Sequence, residues 1–152
     1  MSLSRLVVAR HGRAGTAPTD GERRLTEEGR AGVERVAAAL KSQGIAGPVV
    51  LCSPLVRAVE TAEILAGATS GAPPRADARL EPGAEPSALM EAAREAGAPH
   101  VILVGHMPDL GILAGSLIGA SSFHLSAGAA LVFAVKDNGT SELQAVLDPE
   151  DA

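Results

Sequence analysis

The stretch Leu6-Val7-Val8-Ala9-Arg10-His11-Gly12 decides how this chain is read. Its apolar start does not alternate with polar residues, which predicts a short strand over residues 5–9 buried on both faces. A guanidinium and an imidazole follow at the carboxyl end of that strand. A neutral imidazole can attack phosphorus and a guanidinium can hold phosphoryl oxygens, so the pair points to phosphoryl chemistry. The sequence of strand, turn and polar residue returns at Cys52-Ser53-Pro54-Leu55-Val56-Arg57 and at Val104-Gly105-His106-Met107-Pro108. Three such turns can meet at one site.

The intervening segments predict an alternation of helices and strands. Thr26 is placed to cap a helix that begins with Glu27 and Glu28, buries Val33, Val36, Ala37 and Leu40, and stops at Gly44. Residues 49–52 read as a second buried strand. Pro54 suits the first position of the next helix, whose apolar face is Leu55, Ala58, Val59, Ala62 and Leu65, with Arg57, Glu60 and Thr61 on another face. A Gly/Ala/Pro-rich connection over residues 67–86 has room for a short edge strand near 77–80. Pro86 starts a helix with Leu89, Met90 and Ala93 inward, ended by Gly97 and Pro99. Residues 101–104 form a third buried strand, and Pro108 opens a helix to about residue 118. Residues 130–135 and 142–146 pair as a hairpin turning at Asp137-Asn138-Gly139. This order predicts an α/β fold, a largely parallel sheet covered on both faces with an antiparallel component from the hairpin. Ligands of such sheets bind beyond the carboxyl ends of the strands, where Arg10, His11, Arg57 and His106 all fall.

Composition narrows the function. At 152 residues, 46% hydrophobic and 20% charged, the chain is expected to form one domain spanning residues 1–152. A net charge of -5, two Phe and neither Trp nor Tyr argue against nucleic acid, which needs an extended basic surface and stacking partners. Cys52 is the one cysteine, so no internal disulfide forms; with no apolar amino-terminal signal, a reducing cytoplasmic setting is expected. The apolar run 101–118 is interrupted by His106, Pro108 and Asp109 and does not read as a membrane span. A monomer is expected, since no broad apolar stripe is left after the helices pack.

His11 is the candidate nucleophile. Arg10 and Arg57 can fork onto equatorial phosphoryl oxygens, and the helix starts after Ser53 and Met107 offer backbone amides to the same group. His106 can hydrogen-bond a phosphoryl oxygen and stabilise charge in the transition state. Taken singly, each has a plainer reading: a histidine at a strand end, a solvated arginine, a core histidine satisfied by backbone. A metal held by His11, His106 and Asp109 is disfavoured, because two guanidiniums aimed at one point repel a cation. His100 reads as a surface residue, His124 as a loop residue with a weak claim on the substrate, and Cys52 as a small buried strand residue. Gly115 and Gly119 read as close-packing positions.

Together, Val8-Ala9-Arg10-His11-Gly12, Leu25-Thr26 with Gly29, Ser53-Pro54 followed by Arg57-Ala58 and Thr61-Ala62, and Val104-Gly105-His106 resemble the histidine phosphatase, or phosphoglycerate-mutase-like, superfamily. The short chain, without room for a large inserted cap, is most similar to its SixA-type phosphohistidine phosphatases. The resemblance implies a three-layer α/β/α sandwich, a phosphorylated His11, a phosphate pocket of Arg10, Arg57 and His106, and no metal or other cofactor. Larger members of the superfamily protonate the leaving oxygen with a carboxylate from the segment after the second catalytic arginine. Here Glu81 and Glu85 are the candidates, with Asp20 and Glu22 in the first loop as further ones.

General acid catalysis is worth roughly 100- to 10,000-fold for a poor leaving group, so an alkoxide needs that proton. A phosphoimidazole protonated on its other nitrogen leaves as neutral imidazole and needs it far less. If Glu81 and Glu85 lie on the surface, the expected substrate is a phosphohistidine on a signalling or phosphotransfer protein. The alternatives are a small-molecule phosphomonoesterase using Glu81 or Glu85, and a catalytically idle phosphate-binding module. Arg13, Arg23 and Arg24 are placed either to meet acidic residues of a partner or to pair with Asp20 and Glu22.

Overall fold

In the computed structural model, which describes residues 2–152, β1 (Arg5–Arg10) runs through the middle of the sheet. Leu6, Val7 and Val8 are wholly buried, which is why the strand carries apolar residues on both faces. The other strands are β2 (Val49–Cys52), β3 (Arg75–Ala76), β4 (His100–Gly105), β5 (Ala130–Val135) and β6 (Ser141–Leu147). They lie in the order β3-β2-β4-β1-β5-β6. β1 to β4 are mutually parallel, and the hairpin β5-β6 adds the antiparallel part through β5 against β1.

Period-two alternation along β1 divides the core. Val7 and Ala9 join Val33, Val36, Leu40, Ala58, Ala62 and Leu65 of α1 (Glu27–Ser42) and α2 (Val56–Ala68) on one face. Leu6 and Val8 join Leu89, Ala93, Leu110 and Leu113 of α3 (Pro86–Glu95) and α4 (Asp109–Ile118) on the other. The result is the three-layer α/β/α sandwich.

Local chemistry accounts for the ends of the helices. The Thr26 hydroxyl accepts the Gly29 amide at 2.9 Å and caps α1 as expected. α2 begins later than the Pro54 signal implied, with Leu55 as its cap residue, because the Ser53 hydroxyl takes the Leu55 amide and forms a turn first. The expected edge strand near 77–80 lies at Arg75–Ala76 instead; the Asp77 carboxylate accepts the Arg79 amide at 2.9 Å and folds 78–80 into a 3-10 turn. In α3, Ala92 takes the fully buried place and Met90 is half-buried. Gly119 ends α4 in the left-handed region (φ 77°), a cap rather than a packing position, while Gly115 does lie against Ser122.

The chain leaving β1 is pressed against α1. A side chain at Gly29 would meet the carbonyl of Arg13, which is backbone and cannot swing aside. Gly29→Ala is therefore expected to lower stability by about 1–3 kcal/mol, the usual cost of overpacking, read as a lower urea midpoint. An unchanged midpoint would show that the 12–15 segment yields freely.

Candidate active site

Parallel pairing in matched register brings three strand ends to one edge of the sheet. Arg10 stands opposite Gly105 and Cys52 opposite Val104. The ladder runs one step further: the His11 amide donates to the Gly105 carbonyl at 3.2 Å and the Ser53 amide to the Val104 carbonyl at 3.0 Å. His11, Ser53 and His106 thus share one end of the sheet, with the two imidazole centroids 5.1 Å apart.

The tautomer of His11 follows from its partner. Nδ1 lies 2.8 Å from the Gly12 carbonyl, which can only accept, so Nδ1 carries the proton and Nε2 keeps its lone pair. Burial holds the His11 imidazolium down to a pKa of about 4; the neighbouring His106, Arg57 and Arg10 add to this, and the Gly12 bond opposes it. His106 is likewise held at about 4, by burial first and then by Arg57, against the pull of Asp109 and Asp20. Both rings are neutral at pH 7, and His11 presents an unprotonated nitrogen.

Two guanidiniums flank them. Arg10 Nη1 donates to the Leu125 carbonyl at 3.0 Å. Arg57, in the first turn of α2 and buried, donates from Nη1 to the Asp20 carbonyl (2.8 Å) and from Nη2 to Asp20 Oδ2 (3.1 Å). The Nε atoms of both arginines are buried without a hydrogen-bond acceptor. The arrangement as a whole is an unprotonated imidazole nitrogen beside two guanidiniums, a set able to attack phosphorus and to hold an oxyanion.

Ser53 is wholly buried, and its hydroxyl lies 2.8 Å from His106 Nε2. The Leu55 amide, expected to point at the phosphate, is spent on that same hydroxyl at 3.3 Å. Met107 is half-buried beside Gly111 in the first turn of α4. Glu81 and Glu85 are exposed, as is Glu22. Asp20 holds Arg57 and Arg23, and these guanidiniums, Arg23 foremost, keep its carboxyl below the usual range. Of the loop pairings considered, only Arg23 with Asp20 forms; Arg13 pairs with Glu28, and Arg24 with Glu60. Asp109 is not beside a metal-ligand set: its Oδ2 accepts the amides of Gly83 (2.8 Å) and Ala84 (3.0 Å), tying the 83–84 loop to α4. His124 is exposed, His100 is half-buried at the amino end of β4, away from the site, where it accepts the Ala46 amide, and burial pushes the Cys52 thiol up to about 11. No described helix is long and apolar enough to cross a membrane.

The sequence did not reveal what Thr61 and Glu60 do. Thr61 accepts the Gly12 amide at 3.0 Å, and Glu60 accepts the Leu25 amide at 2.8 Å and pairs with Arg30. The available signal was the spacing of Arg57 and Thr61, four apart and so on one helix face.

The model of the histidine phosphatase superfamily, branch 1, matches residues 6–82. An uncharacterised protein of Picosynechococcus sp. is 36% identical over 138 residues, covering 86% of this chain and 81% of that one. Among solved structures, that of the protein histidine phosphatase SixA complexed with tungstate matches with a TM-score of 0.85 and 25% identity, over 97% of this chain and 98% of its own. A SixA structure from Nakamurella multipartitia matches with a TM-score of 0.78 and 29% identity, over 94% of each chain. The chain belongs to the histidine phosphatase superfamily, in its SixA type, and is a phosphatase.

The two depressed histidines make a prediction about pH. Unfolded, each takes up its proton near 6.5; folded, it resists until about 4. The unfolded state binds more protons between these values, so their contribution to stability is complete above 6.5 and is lost as pH falls to 4. Ring NMR titrations of His11 and His106 are expected to show no midpoint above 5, with the urea midpoint falling through the same window. A His11 midpoint near 6.5 would contradict its burial among cations.

Proposed function

We propose that this phosphatase hydrolyses phosphohistidine on a partner protein by way of a phosphorylated His11. The observation that carries the reading is the lack of a sheltered proton donor among the candidate carboxylates. A carboxylic acid kept protonated at pH 7 needs an apolar or like-charged setting. Glu81 and Glu85 are exposed, and Asp20 is held ionised by two guanidiniums. A substrate whose leaving group needs no proton fits this set.

In the first step Nε2 of His11 attacks phosphorus and the P–N bond to the substrate imidazole breaks. The substrate ring, protonated on its other nitrogen, departs neutral. His11 now carries the phosphoryl on Nε2 and its proton on Nδ1, where the Gly12 carbonyl accepts it. Arg10 and Arg57 hold the equatorial oxygens, and His106, positioned by Ser53, stabilises the charge spread over them. Water then attacks phosphorus, the P–N bond breaks, His11 leaves as the neutral Nδ1–H imidazole, and inorganic phosphate departs with both protons of the water, as dihydrogen phosphate. Neither half-reaction calls for a carboxylic acid.

The likeness to a protein histidine phosphatase that binds tungstate, an oxyanion, supports both the substrate class and the cradle. The short 69–85 connection, which holds only β3 and one 3-10 turn, supports a mouth open to a protein surface. The substrate class is accordingly a phosphohistidine-bearing signalling or phosphotransfer protein of the cytoplasm.

The test compares phosphate release from a phosphohistidine protein with release from a panel of phosphomonoesters. The expected result is a preference of at least about 100-fold for phosphohistidine, the lower end of what a missing acid costs an ester. Faster turnover of one small ester would overturn the substrate assignment. His11→Ala should abolish turnover while retaining part of the tungstate affinity, and Arg57→Ala should weaken both; substantial turnover by His11→Ala would remove the covalent route.

A further inference from the structure

Gly12 stands between two parts of the site. Its carbonyl accepts the Nδ1–H of His11, and its amide donates to Thr61 Oγ1 at 3.0 Å. The Thr61 hydroxyl donates its own hydrogen to the Arg57 carbonyl, one helical turn back, at 2.8 Å. Thr61 is buried, 1% exposed, and so is Gly12, so water cannot readily replace either bond. A hydroxyl with its hydrogen committed to Arg57 has only lone pairs to offer Gly12, which fixes the direction of the whole chain of bonds.

From this geometry we infer that Thr61 is a positioning residue: through the backbone of Gly12 it holds the proton of His11 on Nδ1 and keeps Nε2 free to attack phosphorus. The amide belongs to the His11–Gly12 peptide and the carbonyl to the Gly12–Arg13 peptide, so the two bonds are joined through the φ and ψ of Gly12, which as a glycine relies on its surroundings to fix them. Gly12 has little slack of its own, because a Cβ there would meet Val33 Cγ2 at 2.7 Å; the segment is seated against α1 on one side and Thr61 on the other. Removing the hydroxyl leaves a buried amide without an acceptor, in a peptide whose other end, the His11 carbonyl, is held by the Gly128 amide at 2.8 Å, so the strain falls on the Gly12 torsions. A change in those torsions takes the Gly12 carbonyl away from Nδ1, the proton redistributes between the ring nitrogens, and the fraction of His11 able to attack falls. Thr61 also shares its helix with Arg57, so one hydroxyl couples the nucleophile's loop to the element that carries the phosphate-binding guanidinium.

The inference rests on the proposed role of His11, and the experiment separates the two. Thr61→Val keeps the shape and removes the hydroxyl; Thr61→Ala removes it with less steric demand and serves if the valine variant does not fold; Thr61→Ser restores it. Each is examined by ring ¹⁵N NMR for the His11 tautomer and by steady-state kinetics, with inhibition by tungstate as the measure of the oxyanion cradle. The expected result is the Nδ1–H form alone in the wild type and in Thr61→Ser, and mixed tautomers in Thr61→Val or Thr61→Ala. With it comes a fall in kcat of about 10- to 100-fold at nearly unchanged KM and tungstate inhibition, the size of a misplaced catalytic group. A single Nδ1–H tautomer after loss of the hydroxyl would overturn the inference, as would unchanged kcat in a folded variant, or a loss confined to KM. Activity retained by His11→Ala would instead remove the nucleophile's role, while the tautomer measurement would still decide whether Thr61 governs the ring.

Discussion

The register between β1 and β4 is the constraint on which the rest of the site depends. Arg10 is opposite Gly105, so the residues that follow each, His11 and His106, leave the sheet at the same height. Their rings come within 5.1 Å without either belonging to a loop that must find its place unaided. A slip of one residue would turn Leu6 and Val8 to the α1-α2 face and carry His11 away from His106. The apolar alternation that fixes the register is therefore also what aligns the chemistry. The gathering of these polar residues beyond the carboxyl ends of the parallel strands is in this protein a direct result of packing.

Electrostatics then decides which protonation state that geometry holds. Two imidazoles near two guanidiniums cannot all be cationic in a buried setting, and the groups with the lower intrinsic proton affinity yield. The histidines are the ones discharged. Desolvation is the largest cause for both, with the arginines adding to it. In the proposed reaction, the cations that would bind a phosphoryl group thus help burial to keep His11 unprotonated beforehand. The Gly12 carbonyl completes the assignment by naming the nitrogen that holds the remaining proton.

The sequence made the framework legible because it lies in local patterns. Buried strands appear as apolar runs, Thr26 and Pro86 mark helix starts, and the three strand-turn-polar segments show where chemistry collects. Arg10, His11, Arg57 and His106 were identifiable as one group because parallel topology sends all three segments to one edge. What escaped was long-range and mediated by backbone. Nothing local says that the Arg10 guanidinium meets the carbonyl of Leu125, or that Thr61 serves Gly12 across 49 positions. Asp20 was weighed as a proton donor; its partners Arg23 and Arg57 make it an ionised acceptor instead. Pro54 was misjudged by two residues because the turn preceding α2 is made by the Ser53 side chain, which competes with the helix for the Leu55 amide.

Asp20 also explains how Arg57 can remain buried before a phosphoryl group arrives. A guanidinium has five N–H donors in a plane, and leaving them without acceptors away from water is costly. Asp20 supplies a carbonyl to Nη1 and a carboxylate oxygen to Nη2, which occupies the end-on edge of the fork and leaves Nε without a partner. Its own side chain is 63% exposed, on a loop, and is shared with Arg23. A phosphoryl group that takes its place on Arg57 would leave it beside that second guanidinium, while the buried Arg57 would exchange one acceptor for another. Arg57 is thereby held in one orientation by a partner that has a second cation at hand. In the proposed reaction Arg57 starts with its orientation already set, so holding a phosphoryl group would spend little on ordering that side chain.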